Sequence, residues 1–154
     1  MQSETQDEML ATYQKTMLQT VAYKYIRETI GSTLKTFKLN TSQWMIMGIL
    51  RDSNEGQTAS KIASMMQVEV PLITTLSQPL LAMGCIEQTT SEQDRRSKPL
   101  IITEGGEILT SRVEQAIAED LKLLEANISQ ADLTQYFATL RQFIVNGQRL
   151  STRS

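Results

Sequence analysis

The chain has 154 residues, with 15 lysines and arginines against 17 aspartates and glutamates, and 40% of its residues are hydrophobic. This balance is ordinary for a folded globular protein, and the length allows one domain, or one domain with an oligomerisation arm. The chain has no histidine and a single cysteine, Cys85, which excludes a disulfide framework and a cysteine-cluster metal site. The lack of histidine also argues against metal hydrolases and against enzymes with a Ser-His or Cys-His pair. We expect no enzyme and no cofactor.

The chain contains no apolar stretch close to the roughly 20 residues that a membrane-spanning helix needs. Its first residues include Glu4, Asp7 and Glu8 and lack the basic and apolar regions of a secretory signal. We therefore expect a cytoplasmic protein with no membrane contact.

A long first helix is predicted from about Glu4 to Phe37, where no proline occurs and apolar residues recur at helical spacing. These residues form two stripes, displaced from each other around the helix: Leu10, Tyr13, Met17 and Val21 in the first, and Leu18, Ala22, Ile26, Ile30 and Leu34 in the second. One stripe is expected to meet the core and the other a partner subunit, although a kink near Gly31 would also reconcile them.

The next helix is predicted to begin at Asn40 or Thr41, with Gln43 in reach of the capping-box position, and to end in the turn at residues 52–56. Its residues Trp44, Met45 and Met47, together with Tyr23, offer a possible cavity wall, but core positions are the favoured interpretation.

A helix-turn-helix is predicted to follow. Thr58 can cap a short helix, and Pro71 suits the first turn of a second helix that stops at Gly84. Two short helices with a tight connection are typical of a DNA-binding helix-turn-helix, with a recognition helix at residues 71–83.

Directly after these helices, residues 85–90 and 100–103 are β-prone and bracket a charged tip, which predicts a hairpin. The tip holds Arg95, Arg96 and Lys98 within four positions, and such cations are useful chiefly against a polyanion. For an isolated hairpin, a merely solvated tip is the favoured interpretation. Placed after a helix-turn-helix, the hairpin indicates a wing.

Beyond the wing, a long helix is predicted from about Glu104 and a final helix after a break around residues 127–130. The expected fold is mainly α with a small β-hairpin wing, a winged helix-turn-helix with N- and C-terminal helices forming a dimerisation domain. Intertwining these helices with their copies in a second chain buries their apolar faces, so we infer an obligate homodimer. The expected divisions are an N-terminal dimerisation helix at 1–38, a DNA-binding region at 39–103 and C-terminal dimerisation helices at 104–154.

With these elements in order, the chain resembles the MarR family of bacterial transcription regulators over nearly its whole length. The most specific match lies in the wing and its exit into the dimer helix: Asp94, Arg95 and Arg96, followed by Leu100, Ile102, Thr103 and Gly106. The other matching pieces are the run from Leu39 to Trp44 through Leu50, Thr58 with Lys61, Ile62 and Ala63, and Leu80 with Gly84.

The resemblance implies a dimer whose recognition helices enter successive major grooves of a pseudo-palindromic double-stranded DNA site, while the wings at 85–103 reach the flanking minor grooves. It implies that Arg96 is the minor-groove arginine, that Asp94 orients it, and that Arg95 and Lys98 lie near phosphates. Family members often release DNA when a small aromatic or phenolic compound binds, or when a cysteine oxidises. The sequence assigns neither effector mode here.

The recognition helix departs from the family pattern. Positions that are usually basic hold Thr75, Pro79 and Gln88, and no lysine or arginine occurs between Lys61 and Arg95. Because phosphate neutralisation supplies most non-specific affinity, we expect weak DNA binding unless the wing compensates. A proline inside a helix costs about 3 kcal/mol, so Pro79 predicts a kinked helix or an early end.

Uncharged side chains still suit base edges. Thr74, Thr75, Ser77 and Gln78 include donors, acceptors and methyl groups, and Gln suits adenine. Two functions therefore stay open. The first is a sequence-specific DNA-binding regulator that reads bases with Thr74, Thr75 and Gln78 and holds DNA with the wing. The second is a MarR-shaped protein with weakened DNA binding that acts through protein contacts.

Overall fold

The computed structural model of the protein describes residues 10–90 and 98–152. These residues form helices and one short hairpin. In chain order they are α1 (Thr12–Thr36), α2 (Thr41–Arg51), α3 (Ala59–Met66), α4 (Val70–Ala82), β1 (Ile86–Gln88), β2 (Leu100–Ile102), α5 (Glu104–Leu124) and α6 (Gln130–Ser151). The predicted fold class, mainly α with a β-hairpin wing inside a winged helix-turn-helix, is confirmed.

The chain divides into two compact units, residues 1–121 and residues 122–154. The first unit contains the hydrophobic core, to which α1 to α5 and both strands contribute. Its fully buried members include Leu34, Ile46, Met47, Leu50, Ile62, Ile73, Leu80 and Val113. The second unit contains α6, in which no residue is buried although many are apolar.

The first helix, α1, runs without interruption from Thr12 to Thr36. Only its C-terminal part meets the core, where Leu34 is fully buried and Thr33 donates a hydrogen bond through its hydroxyl to the carboxylate of Asp120 in α5. The first predicted stripe is exposed, and so is Leu18 at the start of the second stripe. The N-terminal half of α1 therefore presents apolar side chains to solvent in a single chain.

Helices α2 and α3 begin at the predicted capping residues. Asn40 Oδ1 accepts a hydrogen bond from the Gln43 backbone N–H at 2.8 Å, and Gln43 Oε1 accepts one from the Asn40 N–H at 3.1 Å. Thr58 Oγ1 accepts from the Lys61 N–H at 3.2 Å at the start of α3. These bonds satisfy backbone donors that a helix start leaves without intrahelical partners.

The recognition helix α4 begins at Val70 and ends at Ala82, one residue before each predicted end. Pro71 occupies its first turn, as predicted. The helix continues through Pro79, so the expectation of an early end there is wrong. Burial of Ile73 and Leu80 on either side of the break in backbone hydrogen bonding offsets the cost of this proline.

The hairpin is shorter than predicted. Its strands pair antiparallel with Ile86 opposite Ile102 and Gln88 opposite Leu100, and the ladder does not include Cys85, Thr90 or Thr103. Ile86 and Leu100 are buried on the core side of the hairpin. No helix among residues 10–90 and 98–152 is long and apolar enough to cross a membrane.

Candidate nucleic-acid interface

The connection between α3 and α4 is tight. Gln67 ends α3 in the left-handed conformation, with φ 55° and ψ 46°, and Val68 donates a backbone hydrogen bond to the Ala63 carbonyl at 3.0 Å. The N-terminus of α4 follows directly at Val70. This reversal at a non-glycine residue turns the chain sharply, which gives the two helices the order and connection of a helix-turn-helix.

One face of α4 is buried. Ile73, Ser77 and Leu80 pack into the core of the first unit, and the Gln43 side chain donates to the Leu76 carbonyl at 3.4 Å. This bond ties the start of α2 to the middle of α4. The buried face therefore fixes which side of the recognition helix points outward.

The opposite face of α4 is exposed and uncharged. It carries two of the predicted base-reading threonines and the predicted glutamine, flanked by small or apolar residues: Pro71, Thr74, Thr75, Gln78 and Ala82. The fourth candidate, Ser77, is 3% exposed and belongs to the buried face. Its hydroxyl has no hydrogen-bond partner among the described residues.

Both exposed threonines use their hydroxyl hydrogens within the helix. Thr75 Oγ1 donates to the Pro71 carbonyl at 3.0 Å, and Thr74 Oγ1 donates to the Val70 carbonyl at 3.4 Å. The hydroxyl lone pairs and the methyl groups remain for an external partner.

The electrostatics around α4 are unusual for a surface that meets a polyanion. The helix contains no charged residue, and its N-cap is the exposed Glu69. On β1, Glu87 is also exposed, and Lys61 on α3 precedes α4 without any further cation between them. Among the described residues, α4 and its N-cap therefore offer no cation to a phosphate group.

The wing supplies the remaining predicted site residues. Asp94, Arg95 and Arg96 lie outside the described residues. Lys98 is exposed and immediately precedes Pro99, whose carbonyl accepts a hydrogen bond from the Thr89 N–H at 2.9 Å. Lys98 therefore lies on the tip side of the hairpin, next to the last hydrogen bond between its two arms in the described residues.

A contact that the sequence did not predict joins the wing to the connection between α2 and α3. Gln57 and Leu100 form a bridge outside the hairpin, with N–H to carbonyl distances of 2.9 Å and 2.8 Å. Gly56 precedes it with φ 80°, and a Cβ at Gly56 would lie 2.5 Å from the Leu100 carbonyl oxygen. Gly56 at the end of the polar turn was the only sequence signal for this close approach.

Another side of α2 lines a cleft of about 590 Å³. Its apolar wall comes from α2 and α3: Trp44, Met45, Ile49, Met65 and Met66. Two residues considered in the sequence do not line it, because Met47 is fully buried in the core and Tyr23 is exposed on α1. Trp44 Nε1 is buried and has no hydrogen-bond acceptor among the described residues.

The rim of the cleft is polar. Arg51 Nε lies 3.6 Å from Asp52 Oδ1, and Glu114 of α5 completes the lining. Arg51 is only partly exposed, whereas the Asp52 side chain is mostly exposed. The volume lies within the range of small-molecule sites, but the cleft is wide open to solvent, whereas such sites enclose most of their ligand.

The single cysteine does not line this cleft. It lies where the start of the wing packs against α5. Cys85 is buried, and its carbonyl accepts a hydrogen bond from the Thr103 N–H at 3.0 Å. Burial raises the pKa of the Cys85 thiol above its ordinary value, because desolvation disfavours the thiolate. This environment is typical of a structural cysteine.

Together, the helix-turn-helix, the wing and the long flanking helices define the chain as a winged helix protein. Residues 39–98 match the sequence model of the MarR family. The resemblance drawn from the sequence is thus confirmed for this segment, which contains the helix-turn-helix and the first strand of the wing.

Solved structures of MarR-family proteins share this fold well beyond the matched segment. A MarR-family transcriptional regulator from Rhodococcus sp. RHA1 is 17% identical with a TM-score of 0.79, covering 88% of this chain and 96% of that one. Apo MarR from E. coli is 16% identical with a TM-score of 0.71, covering 88% and 98%. CouR from Rhodococcus jostii RHA1, bound to p-coumaroyl-CoA, is 18% identical with a TM-score of 0.77, covering 92% and 95%.

Proposed function

We propose that the protein is a homodimeric cytoplasmic transcription regulator that binds a pseudo-palindromic double-stranded DNA site. The observation that carries the proposal is the exposed polar face of α4, which is the second helix of a tight helix-turn-helix and precedes a wing. In this arrangement α4 enters the major groove, where base edges are distinguishable, and the wing contacts the flanking backbone and minor groove. The match to the MarR family supports this arrangement.

Each predicted site residue has a distinct role in the proposal. Thr74, Thr75 and Gln78 read base edges. Arg96 enters the minor groove and Asp94 orients it. Arg95 and Lys98 neutralise phosphates, a task that falls to the wing because α4 carries no charge.

Dimerisation belongs to the same proposal, with residues 1–38 and 104–154 forming the dimerisation region. It is supported by the apolar side chains that α1 and α6 leave exposed, which include Tyr13, Met17, Leu18, Phe143 and Ile144. Exposed apolar patches of this extent are typical of subunit interfaces. Sedimentation should give twice the 17.3 kDa mass of one chain, and Phe143→Glu should shift the protein toward monomer. A monomeric wild-type protein would contradict this part.

The test of DNA binding is a salt series with duplex DNA from the region upstream of the protein's own coding sequence, compared with a scrambled duplex. We expect tighter binding to the upstream duplex and a linear fall of log affinity with log salt concentration. Arg96→Ala should weaken binding about tenfold with folding intact, since a loop arginine contributes little to the core. Arg112→Ala, which removes an exposed arginine of α5, is the matched control. Equal affinity for both duplexes at low salt would contradict specific binding.

A second candidate function is a MarR-shaped protein that acts through protein contacts. The lack of charge on α4 and the exposed Glu69, Val70 and Leu72 beside it favour this alternative. This alternative predicts equal affinity for the upstream and scrambled duplexes at low salt, so the same experiment separates the two functions. Both functions are binding functions, and neither includes a chemical reaction.

We also propose that the cleft beside Trp44 holds a small-molecule effector. The apolar wall, which includes the Trp44 ring and methionine side chains, suits an aromatic compound. CouR, which shares the fold, binds p-coumaroyl-CoA. Trp44 is the only tryptophan, so its fluorescence reports the cleft directly. Titration with p-coumarate and p-coumaroyl-CoA should give a saturable change, and Met65→Glu should abolish it. A linear response to both compounds would contradict a site for this chemistry.

A further inference from the structure

The exposed face of α4 lacks the side chains that most often read guanine. Guanine presents two acceptors, N7 and O6, in the major groove, and arginine or lysine donates to both in the commonest specific contact. No residue of α4 carries a positive charge. A G·C pair facing this helix would leave its guanine acceptors without a charged donor.

Thr74 and Thr75 further limit which base edges the exposed face of α4 can bind. The hydroxyl hydrogens of Thr74 and Thr75 are directed at backbone carbonyls of the preceding turn, at 3.4 Å and 3.0 Å. Toward a groove, these side chains therefore present oxygen lone pairs and methyl groups. Lone pairs oppose the guanine acceptors and match the amino groups of both adenine and cytosine, whereas threonine methyl groups match the C5 methyl group that only thymine carries.

Pro79 adds one more acceptor. Because proline has no N–H, it cannot donate the hydrogen bond that an α-helix would otherwise form between residue 79 and the Thr75 carbonyl. Thr75 is exposed, and its carbonyl lies on the same turn as its side chain. The proline that weakens the helix thus leaves the Thr75 carbonyl without its usual intrahelical donor.

Gln78 is the one side chain on this face with both a donor and an acceptor. It lies one turn after Thr74 and Thr75 and is exposed. A glutamine amide can donate to adenine N7 and accept from adenine N6 at the same time. This bidentate pairing is the strongest base-specific contact that the face can make.

Resting on the proposed DNA-binding function, we infer that α4 selects half-sites whose major-groove base pairs are A·T, with Gln78 reading one adenine in each half-site. The selectivity arises from the threonine methyl groups and the glutamine amide, which fit thymine and adenine, and from the lack of a charged donor for the two guanine acceptors. Arg95 and Lys98 of the wing provide affinity without altering this choice, because phosphate contacts carry no base information, and Arg96 meets the flanking minor groove and not the base pairs that face α4.

The test is selection from a library of random duplexes of about 30 base pairs, followed by sequencing, which spans two half-sites separated by one helical turn. Wild-type protein should enrich a two-fold-related motif with A·T pairs at the positions facing α4. Gln78→Ala should reduce the preference for adenine at one position per half-site by about tenfold and leave the other positions unchanged. Gln78→Arg should change that position to guanine. Gln115→Ala, which alters an exposed helical glutamine of α5, is the matched control.

The outcomes separate the inference from the function on which it rests. A wild-type motif with G·C pairs facing α4 would overturn the inference and leave the DNA-binding function standing. An unchanged adenine preference in Gln78→Ala would overturn the role of Gln78. Failure of the wild-type protein to enrich any motif would overturn both the inference and the proposed function.

Discussion

Gly106 lies directly against the backbone of Cys85. A Cβ on Gly106 would be 2.0 Å from the Cys85 carbonyl oxygen and 2.8 Å from a side-chain carbon of Ile102. Thr103 closes the same junction, because its hydroxyl donates to the Gly84 carbonyl at 2.6 Å and accepts from the Gly106 N–H at 3.1 Å. The first turn of α5 is thus packed against the start of the wing, with no space for a side chain.

This contact predicts that Gly106→Ala destabilises the protein. Backbone atoms on both sides of the contact must move, so we expect the free energy of unfolding to fall by about 3 kcal/mol. Gly105→Ala is the matched control, since its nearest neighbour is the Thr103 hydroxyl at 3.8 Å. This control should be neutral or stabilising by about 0.5–1 kcal/mol. Urea denaturation measures both variants, and equal stabilities would show that the junction accommodates a side chain.

The capping box of α2 gives a second prediction. Asn40→Ala removes the acceptor of the Gln43 N–H and should lower the free energy of unfolding by about 1 kcal/mol. Asn40→Ser keeps a capping oxygen and should retain most of the stability. The measurement is the midpoint of thermal or urea unfolding. A full-size loss in Asn40→Ser would mean that the side chain acts other than as a cap.

The two prolines of α4 should respond in opposite ways. Pro79→Ala restores the N–H that the helix interior lacks and should stabilise the protein by about 1–2 kcal/mol, after allowance for the greater freedom of the unfolded chain. Pro71 occupies the first turn, where its missing N–H costs nothing, so Pro71→Ala should destabilise by about 0.5–1 kcal/mol. Unfolding in urea compares the pair. A loss of stability in Pro79→Ala would show that the folded helix depends on this proline.

Cys85 should react slowly in the folded protein. Burial raises its pKa, so less thiolate is present near neutral pH than in an exposed cysteine. We expect labelling by a disulfide reagent to be at least about tenfold slower in native than in urea-denatured protein. Native labelling as fast as in urea would contradict a buried structural role.

The same shift gives Cys85 a pH-dependent effect on stability. A thiol pKa that is higher in the folded state contributes stability below the pKa of the unfolded chain, and this contribution is lost as pH rises through the folded pKa. Between about pH 8 and about pH 10, wild-type protein should therefore lose more stability than Cys85→Ala. A steeper loss in the variant would have the wrong sign.

Local patterns in the sequence predicted those features of α2, α3 and α4 that depend on residues close together in the chain. Asn40 and Thr58 cap their helices because their side chains reach a backbone N–H three residues away, which sequence spacing determines. Pro71 identified the first turn of α4 for a similar reason. Gln78 and Thr75 lie on the outward face because helical periodicity places them opposite Ile73 and Leu80.

Contacts between distant residues were not predictable in this way. The bridge between Gln57 and Leu100 joins residues far apart in the chain, and no local pattern marks either partner. The cleft was not predictable for the same reason, since Met45 and Met65 come from different helices. Met47 lies in the core and not in the cleft because of how those helices pack. At Pro79, tertiary packing overrode the local cost that predicted an early helix end.

In the proposed function, the uncharged helix α4 and the cationic wing together bind specific DNA. The measurement that tests it most directly is selection of genomic fragments by wild-type protein at physiological salt, followed by sequencing. The account predicts a small set of enriched fragments that share two-fold-related half-sites, with centres about 10–10.5 base pairs apart. Recovery of fragments in their input proportions would contradict it.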